Sequence, residues 1–260
     1  MGRLRVQFGV LSPRAIEQHA VCVCETSEDL DDRRMGCTTL GSLPCTTCGH
    51  DATQCPGHFG CIVLHEPLYN ILFLPRLVKL INQHNARRFK QTGDRVFDSE
   101  NHSYVSAAQM LTMLQGLDGD SGWDVRWARP EWCIIRVLPV APPCCRPATE
   151  YKGVKARSGM TYKYTEVLRL NAMLASLTTA PKHVRDDFIQ QLQWVVTTML
   201  DSKPSPAKAE PKHPVRPYET PSDWLARFQR RQDRRRRQRT GLWALLGLGL
   251  GLLFINLYKK

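Results

Sequence analysis

Cys45-Thr46-Thr47-Cys48 … Cys55-Pro56-Gly57-His58 is the stretch on which the reading of this chain turns. It is C-x2-C followed, after a six-residue gap, by C-x2-H. Each x2 pair lets one tight turn aim two soft ligands at one point. The short loop between the pairs lets them share a single ion, as a tetrahedral zinc requires. Gly49, Pro56 and Gly57 supply the backbone freedom and the fixed bend of such knuckles. Unrelated cysteines or two disulfides are the plainer alternatives. A joint match of both pairs with a closing histidine weighs for a metal: one structural zinc on Cys45, Cys48, Cys55 and His58. With four protein ligands no position stays open for water, so the site is expected to hold structure and do no hydrolysis.

The ten cysteines occur without an N-terminal export signal, because Met1–Val10 has arginines but no apolar core segment. That points to an intracellular, reducing compartment, where ligation is favoured over disulfides. Cys22 and Cys24 alternate in Val21-Cys22-Val23-Cys24 like strand residues. Cys133, Cys144 and Cys145 read as small buried hydrophobes. Cys37 and Cys61 flank the knuckle and are at most spare ligands.

The 260 residues carry a formal charge of +12, which favours an acidic partner, nucleic acid or an anionic membrane. Much of that charge is one run: Arg227, Arg230, Arg231, Arg234, Arg235, Arg236, Arg237 and Arg239. It follows a Pro- and Lys-rich linker, the two together spanning 202–240. Gly241–Ile255 is then free of charge. Residues 241–258 reach the lower limit of a spanning helix, about 17 residues. They look like a tail anchor with the arginines on the cytoplasmic side. A short core helix or an aberrant C-terminus would read the same way.

Along the chain, Val6–Leu11 reads as a strand. Ser12-Pro13 is an N-cap and first-turn proline for a helix over Pro13–His19. Asp29–Gly36 reads as a polar loop whose carboxylates, with that of Glu28, form a solvated face. Cys61–Leu64 reads as a strand interrupted by Pro67. A helix follows from Leu74 to about Gln83. Residues 84–104 give no strong signal. Ser106 and Gln109 form a capping box that opens a helix with Met110, Leu111, Met113 and Leu114. Cys133–Leu138 reads as a buried strand that Pro139 ends.

Residues 165–200 predict an antiparallel helical hairpin. Val167, Leu170, Leu174 and Leu177 on one arm, and Phe188, Leu192, Val195 and Met199 on the other, give a heptad-like seam. Two ordinary core helices would show nearly the same pattern. No phosphate-binding glycine loop and no paired carboxylates for catalytic magnesium are present, so no catalytic or cofactor-binding residue is assigned.

Several blocks together resemble the start of the largest subunit of multisubunit DNA-directed RNA polymerases. They are Val6–Pro13, Asp32-Arg33-Arg34-Met35-Gly36, the C-x2-C-x6-C-P-G-H-F-G segment of 45–60, Ala128-Arg129-Pro130-Glu131-Trp132, and Val137–Pro143 ending in Arg146-Pro147. Their order is that of the family, and the style is eukaryotic, archaeal or large-virus rather than bacterial. The resemblance implies an irregular zinc-stapled clamp domain with short strands (1–160) and a clamp-type coiled-coil hairpin (161–201); with the C-terminal apolar helix read from the residues after the linker, the expected fold class is α+β. It implies the clamp portion of the subunit, holding template DNA through its backbone. Other RNA polymerase subunits would be its partners, and initiation or elongation factors would dock at 165–200. The setting would be the nucleus or a viral transcription compartment.

The chain departs from the family pattern in three places, one of them the arginine run and apolar tail that stand where members continue into a basic segment approaching nucleic acid. Asn82–Arg88 stands where members begin a second zinc site with C-x2-C, so one zinc is expected. The catalytic motif Asn-Ala-Asp-Phe-Asp-Gly-Asp occurs nowhere in the sequence. The polymerase magnesium is therefore expected outside this chain, which alone should not make RNA. A membrane-tethered zinc module derived from a polymerase subunit, without polymerase activity, is the alternative.

Overall fold

The structure, a computed structural model, describes residues 9–37, 43–84, 88–117, 123–124, 126–151, 154–177, 180–201 and 230, with the side chains of 149–151 and 154–156 left undescribed. The tail at 241–258, the linker and most of the arginine run therefore lie outside the described residues. So do residues 6–8 of the first expected strand, while Gly9–Leu11 are not in a strand. Among the described residues no helix is long and apolar enough to cross a membrane.

The elements are α1 (Pro13–His19), β1 (Gly60–Tyr69), α2 (Leu74–His84), β2 (Phe89–Thr92), β3 (Arg95–Asp98), β4 (Ser103–Val105), α3 (Ala107–Gln115), β5 (Ile134–Val140), β6 (Thr149–Tyr151), β7 (Val154–Ala156), α4 (Gly159–Ser176) and α5 (Lys182–Leu200). The architecture mixes helix and strand, as expected. The cap signals hold: the Ser12 hydroxyl accepts from the Ala15 amide, and Ser106 and Gln109 form a complete capping box.

The sheet that organises the fold is the antiparallel pair β1–β5, running from Gly60 opposite Val140 to Tyr69 opposite Ile134. Both prolines expected to end these strands lie inside them. Pro67 falls where the register shifts between Val63 and Leu68, a bulge that needs no ladder donor. Pro139 faces Cys61, and the missing N–H costs nothing because the polar groups of that pair point away from the partner strand. The Cys61 amide instead donates to Cys22 O, and its carbonyl accepts from the Cys24 amide. On the other side, the Tyr164 hydroxyl donates to Pro139 O and accepts from the Ala141 amide.

A two-stranded ribbon leaves two rows of unpaired backbone groups, and buried ones must find partners. On β1 two amide side chains supply them. Asn171 on α4 accepts from the His65 amide at 2.9 Å and donates to Val63 O at 2.9 Å. Gln193 on α5 accepts from the Tyr69 amide at 2.8 Å and donates to Tyr69 O at 2.9 Å. Each primary amide presents the donor–acceptor pair that a neighbouring strand would. Arg185 adds an ion pair to Glu66 within the bulge.

The two arms of the expected hairpin therefore pack on the sheet as well as on each other. On α4 the buried set Val167, Leu168, Leu170, Met173 and Leu174 is wider than a heptad seam. On α5 the buried apolar positions are Val184, Phe188, Leu192 and Val196, four apart. Val195 and Met199, placed on the seam by the heptad reading, are only half-buried. Gln193→Ala leaves both polar groups of buried Tyr69 without partners. It should cost about 2 kcal/mol, read as a lower urea midpoint at unchanged slope.

Residues 84–104, silent in sequence, fold as the meander β2–β3–β4. Phe89 and Val96 join Tyr69, Leu77, Ile81, Met110, Leu114 and Ile134 in one apolar cluster between the sheet and α2–α3. The 29–36 segment is not simply a polar loop. It is two 3-10 turns with Leu30 and Met35 fully buried. The Asp29 carboxylate accepts from the amides of Thr26 and Glu25, and those bonds hold it below the usual carboxylate range.

Candidate metal centre

The knuckle rests on the second of those turns. Thr46 N–H donates to Arg33 O, the Thr47 hydroxyl to Arg34 O at 2.6 Å, and His58 N–H to Met35 O at 2.9 Å. The Arg33 guanidinium returns a bond to Pro44 O. The Arg33-Arg34-Met35 block is thus a row of carbonyls to which the knuckle is pinned. Gly36 completes it with φ of 124°, and a Cβ there would lie 3.3 Å from the Cys55 sulfur. Gly57, with φ of 80°, allows the second turn, and its Cα lies against Pro142 and Cys144, where a Cβ would collide.

Inside the loop the backbone turns twice. Gly49 N–H donates to Cys45 O, and Cys55 N–H to Asp51 O, whose carboxylate caps Thr53 and Gln54. These turns bring Cys45, Cys48, Cys55 and His58 together, with their four ligand atoms all within 4.8 Å of one another. Cys55 Sγ is 3.8 Å from His58 Nε2. Two ligands on a tetrahedral zinc lie about 3.5–3.8 Å apart, given bonds of about 2.3 Å to sulfur and 2.0 Å to nitrogen. The residues therefore fit such an ion with little adjustment.

The thiols are prepared unequally. Burial pushes Cys55 up to about 11, with the neighbouring Cys48 and Cys45 thiols adding to the rise and the Gly57 amide opposing it. Burial also opposes ionisation of Cys45, but the amides of Cys48 and Thr47 and the thiols of Cys48 and Cys55 outweigh it and hold Cys45 below its ordinary value. A cation shared by the sulfurs favours the ionised form of each.

Packing alone does not explain the knuckle. Between residues 43 and 59 Cys45 is the one buried residue, 1% exposed. The segment has no hydrophobic core of its own.

The other cysteines divide. All ten are free thiols. Cys22 and Cys24 lie near each other and near Cys61 on β1, with the Cys24 thiol directed at Asp29 O 3.8 Å away. All three are buried and raised above their ordinary value, first by burial, with Cys24 at about 12. Cys133 is likewise buried, at about 12. Cys37 is buried beside the knuckle, its thiol directed at His50 O 3.7 Å away, and is not among the four. The expectation fails for Cys144 and Cys145, which are exposed: the prolines around them shape a surface turn, Pro143–Cys145, rather than a core strand.

The Arg146 that follows is a functional-looking residue that chain order alone left unexplained. Its side chain is 1% exposed. It donates to Ala141 O at 2.7 Å, to Thr161 Oγ1 at 3.0 Å and to Leu30 O. It also lies over the Tyr164 ring. Burial lowers its basicity, and Asp31 nearby, 3.9 Å away, counters that. An arginine three residues after a proline pair gave no sign of this.

Comparison with known proteins bears on the whole arrangement. The model of the family "RNA polymerase Rpb1, domain 1" matches residues 82–223, more than half of the chain. The chain belongs to this family. Among its relatives are the DNA-directed RNA polymerase II subunit RPB1 of Euplotoides octocarinatus, 24% identical over 76% of this chain and 59% of that protein. The DNA-directed RNA polymerase subunit Rpo1N of Sulfolobus acidocaldarius is 27% identical over 81% of this chain and 33% of the relative. That of Thermococcus celer is 26% identical over 81% and 32%. The Rpb1 domain 1 chain thus spans between a third and three-fifths of these curated relatives. The Rpb1 match begins after the knuckle and takes in α3, β5 and both hairpin arms.

Proposed function

We propose that the chain is the clamp portion of the largest subunit of a DNA-directed RNA polymerase, with one structural zinc on Cys45, Cys48, Cys55 and His58. The observation that carries the reading is the family match over 82–223 in a chain whose N-terminal part gathers those four ligands at one point. In this role residues 1–160 form the zinc-stapled clamp core and 161–201 the hairpin on which initiation or elongation factors dock. Template DNA is held through its phosphates, which position a duplex without reading its sequence. The other polymerase subunits are the obligate partners, and the catalytic magnesium is held elsewhere in that assembly. The sequence lacks the catalytic aspartate motif, so the isolated chain makes no RNA. The site of action is the intracellular compartment where that polymerase transcribes.

The zinc supplies folding energy and no chemistry, since all four positions are taken by protein. The chain's own residues do the rest: the 33–35 carbonyls orient the knuckle, and Arg146 ties the Leu30 turn to Ala141 and to Thr161 in the first turn of α4.

Affinity purification of the tagged full-length chain should recover the remaining polymerase subunits in stoichiometric amount, with about one zinc per copy of this chain. A monodisperse chain with no polymerase partner overturns the clamp reading. Two metals per chain overturn the reading of residues 82–88.

A further inference from the structure

We propose that the outward face of the β2–β4 meander is a stacking platform for single-stranded nucleic acid. Directly opposed residues in an antiparallel sheet share a face. Lys90 faces Phe97, Phe97 faces Tyr104, and Thr92 faces Arg95, so these five lie on one side. Phe89 and Val96 are buried on the other. The outward side is therefore a row of lysine, phenylalanine and tyrosine across three strands, with Arg95 beside it and His102 at its end.

The rings are grouped. Phe97 and Tyr104 meet edge to face with centroids 5.5 Å apart, and His102 lies 6.5 Å from Phe97. The Arg95 guanidinium sits 5.5 Å from the Tyr104 centroid and is held by Gln190 of α5 at 2.9 Å. Tyr104 is nonetheless 56% exposed. The ring pair supports the sheet across β3 and β4 and leaves one face of Tyr104 open to an occupant.

The charges are sorted as well. Asp94 and Asp98 are buried, 6% and 3% exposed; Asp94 lies 3.9 Å from the Arg95 guanidinium, which opposes the rise that burial gives it and leaves Lys90 as the unshared cation of the face. Glu100 in the β3–β4 turn is the one exposed carboxylate of the meander. The face itself presents Lys90 and Arg95 and no aliphatic side chain. Exposed rings flanked by cations suit an occupant with flat π-faces on an anionic backbone. A duplex hides its base faces in the stack, so the fitting form is a single strand. The surface stands apart from the clamp reading: a chain that joined no polymerase would still carry it.

The test titrates the full-length chain into a fluorescein-labelled oligo(dT) strand and follows anisotropy over a salt series. Tyr104→Ala should weaken binding by about tenfold, the loss expected for one stacked base. Tyr104→Phe keeps the ring and should stay within about twofold of the parent. Because the arginine run also attracts phosphates, an iodouracil-substituted strand is photocrosslinked in parallel and should mark Phe97, His102 or Tyr104. Unfolding curves of Tyr104→Ala that match the parent separate loss of stacking from loss of fold. Unchanged affinity of Tyr104→Ala, or crosslinks confined to 227–239, overturns the proposal. So does a Tyr104→Ala chain that binds the strand normally but no longer recovers another polymerase subunit, which would make the face a protein contact.

Discussion

Cys48→Ser is expected to unfold the knuckle outright, with loss of native structure across residues 43–59 while β1 and the α4–α5 hairpin survive. The size follows from what else could hold the loop. Structural zinc in small modules binds with about 10–16 kcal/mol, and that free energy is folding energy. Here it has no competitor, since Cys45 is the sole buried residue between 43 and 59. Hydrogen exchange by peptide should show the segment losing protection in the variant. A chelator added to the parent should give the same pattern. Acid should do likewise, because protons compete with the metal for the thiolates. Protection that persists in Cys48→Ser after chelation would mean that the three bonds to the carbonyls of Arg33, Arg34 and Met35 suffice without metal.

Arg146→Met should be the most damaging substitution away from the knuckle. Methionine fills much of the same space but donates nothing. The carbonyls of Leu30 and Ala141 and the Thr161 hydroxyl then face an apolar chain. A buried group left without its partner costs about 1–3 kcal/mol, so two carbonyls set the loss at about 3 kcal/mol. For a domain of this size that lowers Tm by about 6–12 °C. Arg146→Lys should recover part of the loss, as an ammonium can reach one or two of the three acceptors but cannot fork among them. Differential scanning calorimetry on the three chains orders them directly. A Met variant as stable as the parent would show that water replaces the guanidinium.

What could be read from the sequence was local. The ligand pairs at 45–48 and 55–58, the Ser12 and Ser106 caps and the two hairpin arms each declare themselves within a few residues, through turn chemistry or helical period. What could not be read depends on partners far along the chain. Pro67 and Pro139 look like strand breakers because sequence does not say that one sits in a bulge and the other turns its nitrogen away from the ladder. Asn171 and Gln193 look like polar interruptions of helix faces until β1 is laid against them. Val196 displaces Val195 at the buried position because α5 faces a strand as well as a helix, which rotates its apolar stripe. The meander was hidden for another reason: its strands are three or four residues long, and one face alternates aromatics with cations instead of with polar residues.

The covering of β1 by side chains from both hairpin arms also sets an order on synthesis. The ligands and the carbonyl ledge that pins them are all present once the chain has reached His58, while the packing of Pro56 and Gly57 on Pro142 and Cys144 comes later. Tyr69 must wait for Gln193, 124 residues later. At about 5–20 residues per second, a nascent β1 spends roughly 6–25 s with that edge uncovered. A ribosome-bound chain is thus metal-ready early and sticky late, and its need for a chaperone should peak between the emergence of β1 and that of α5.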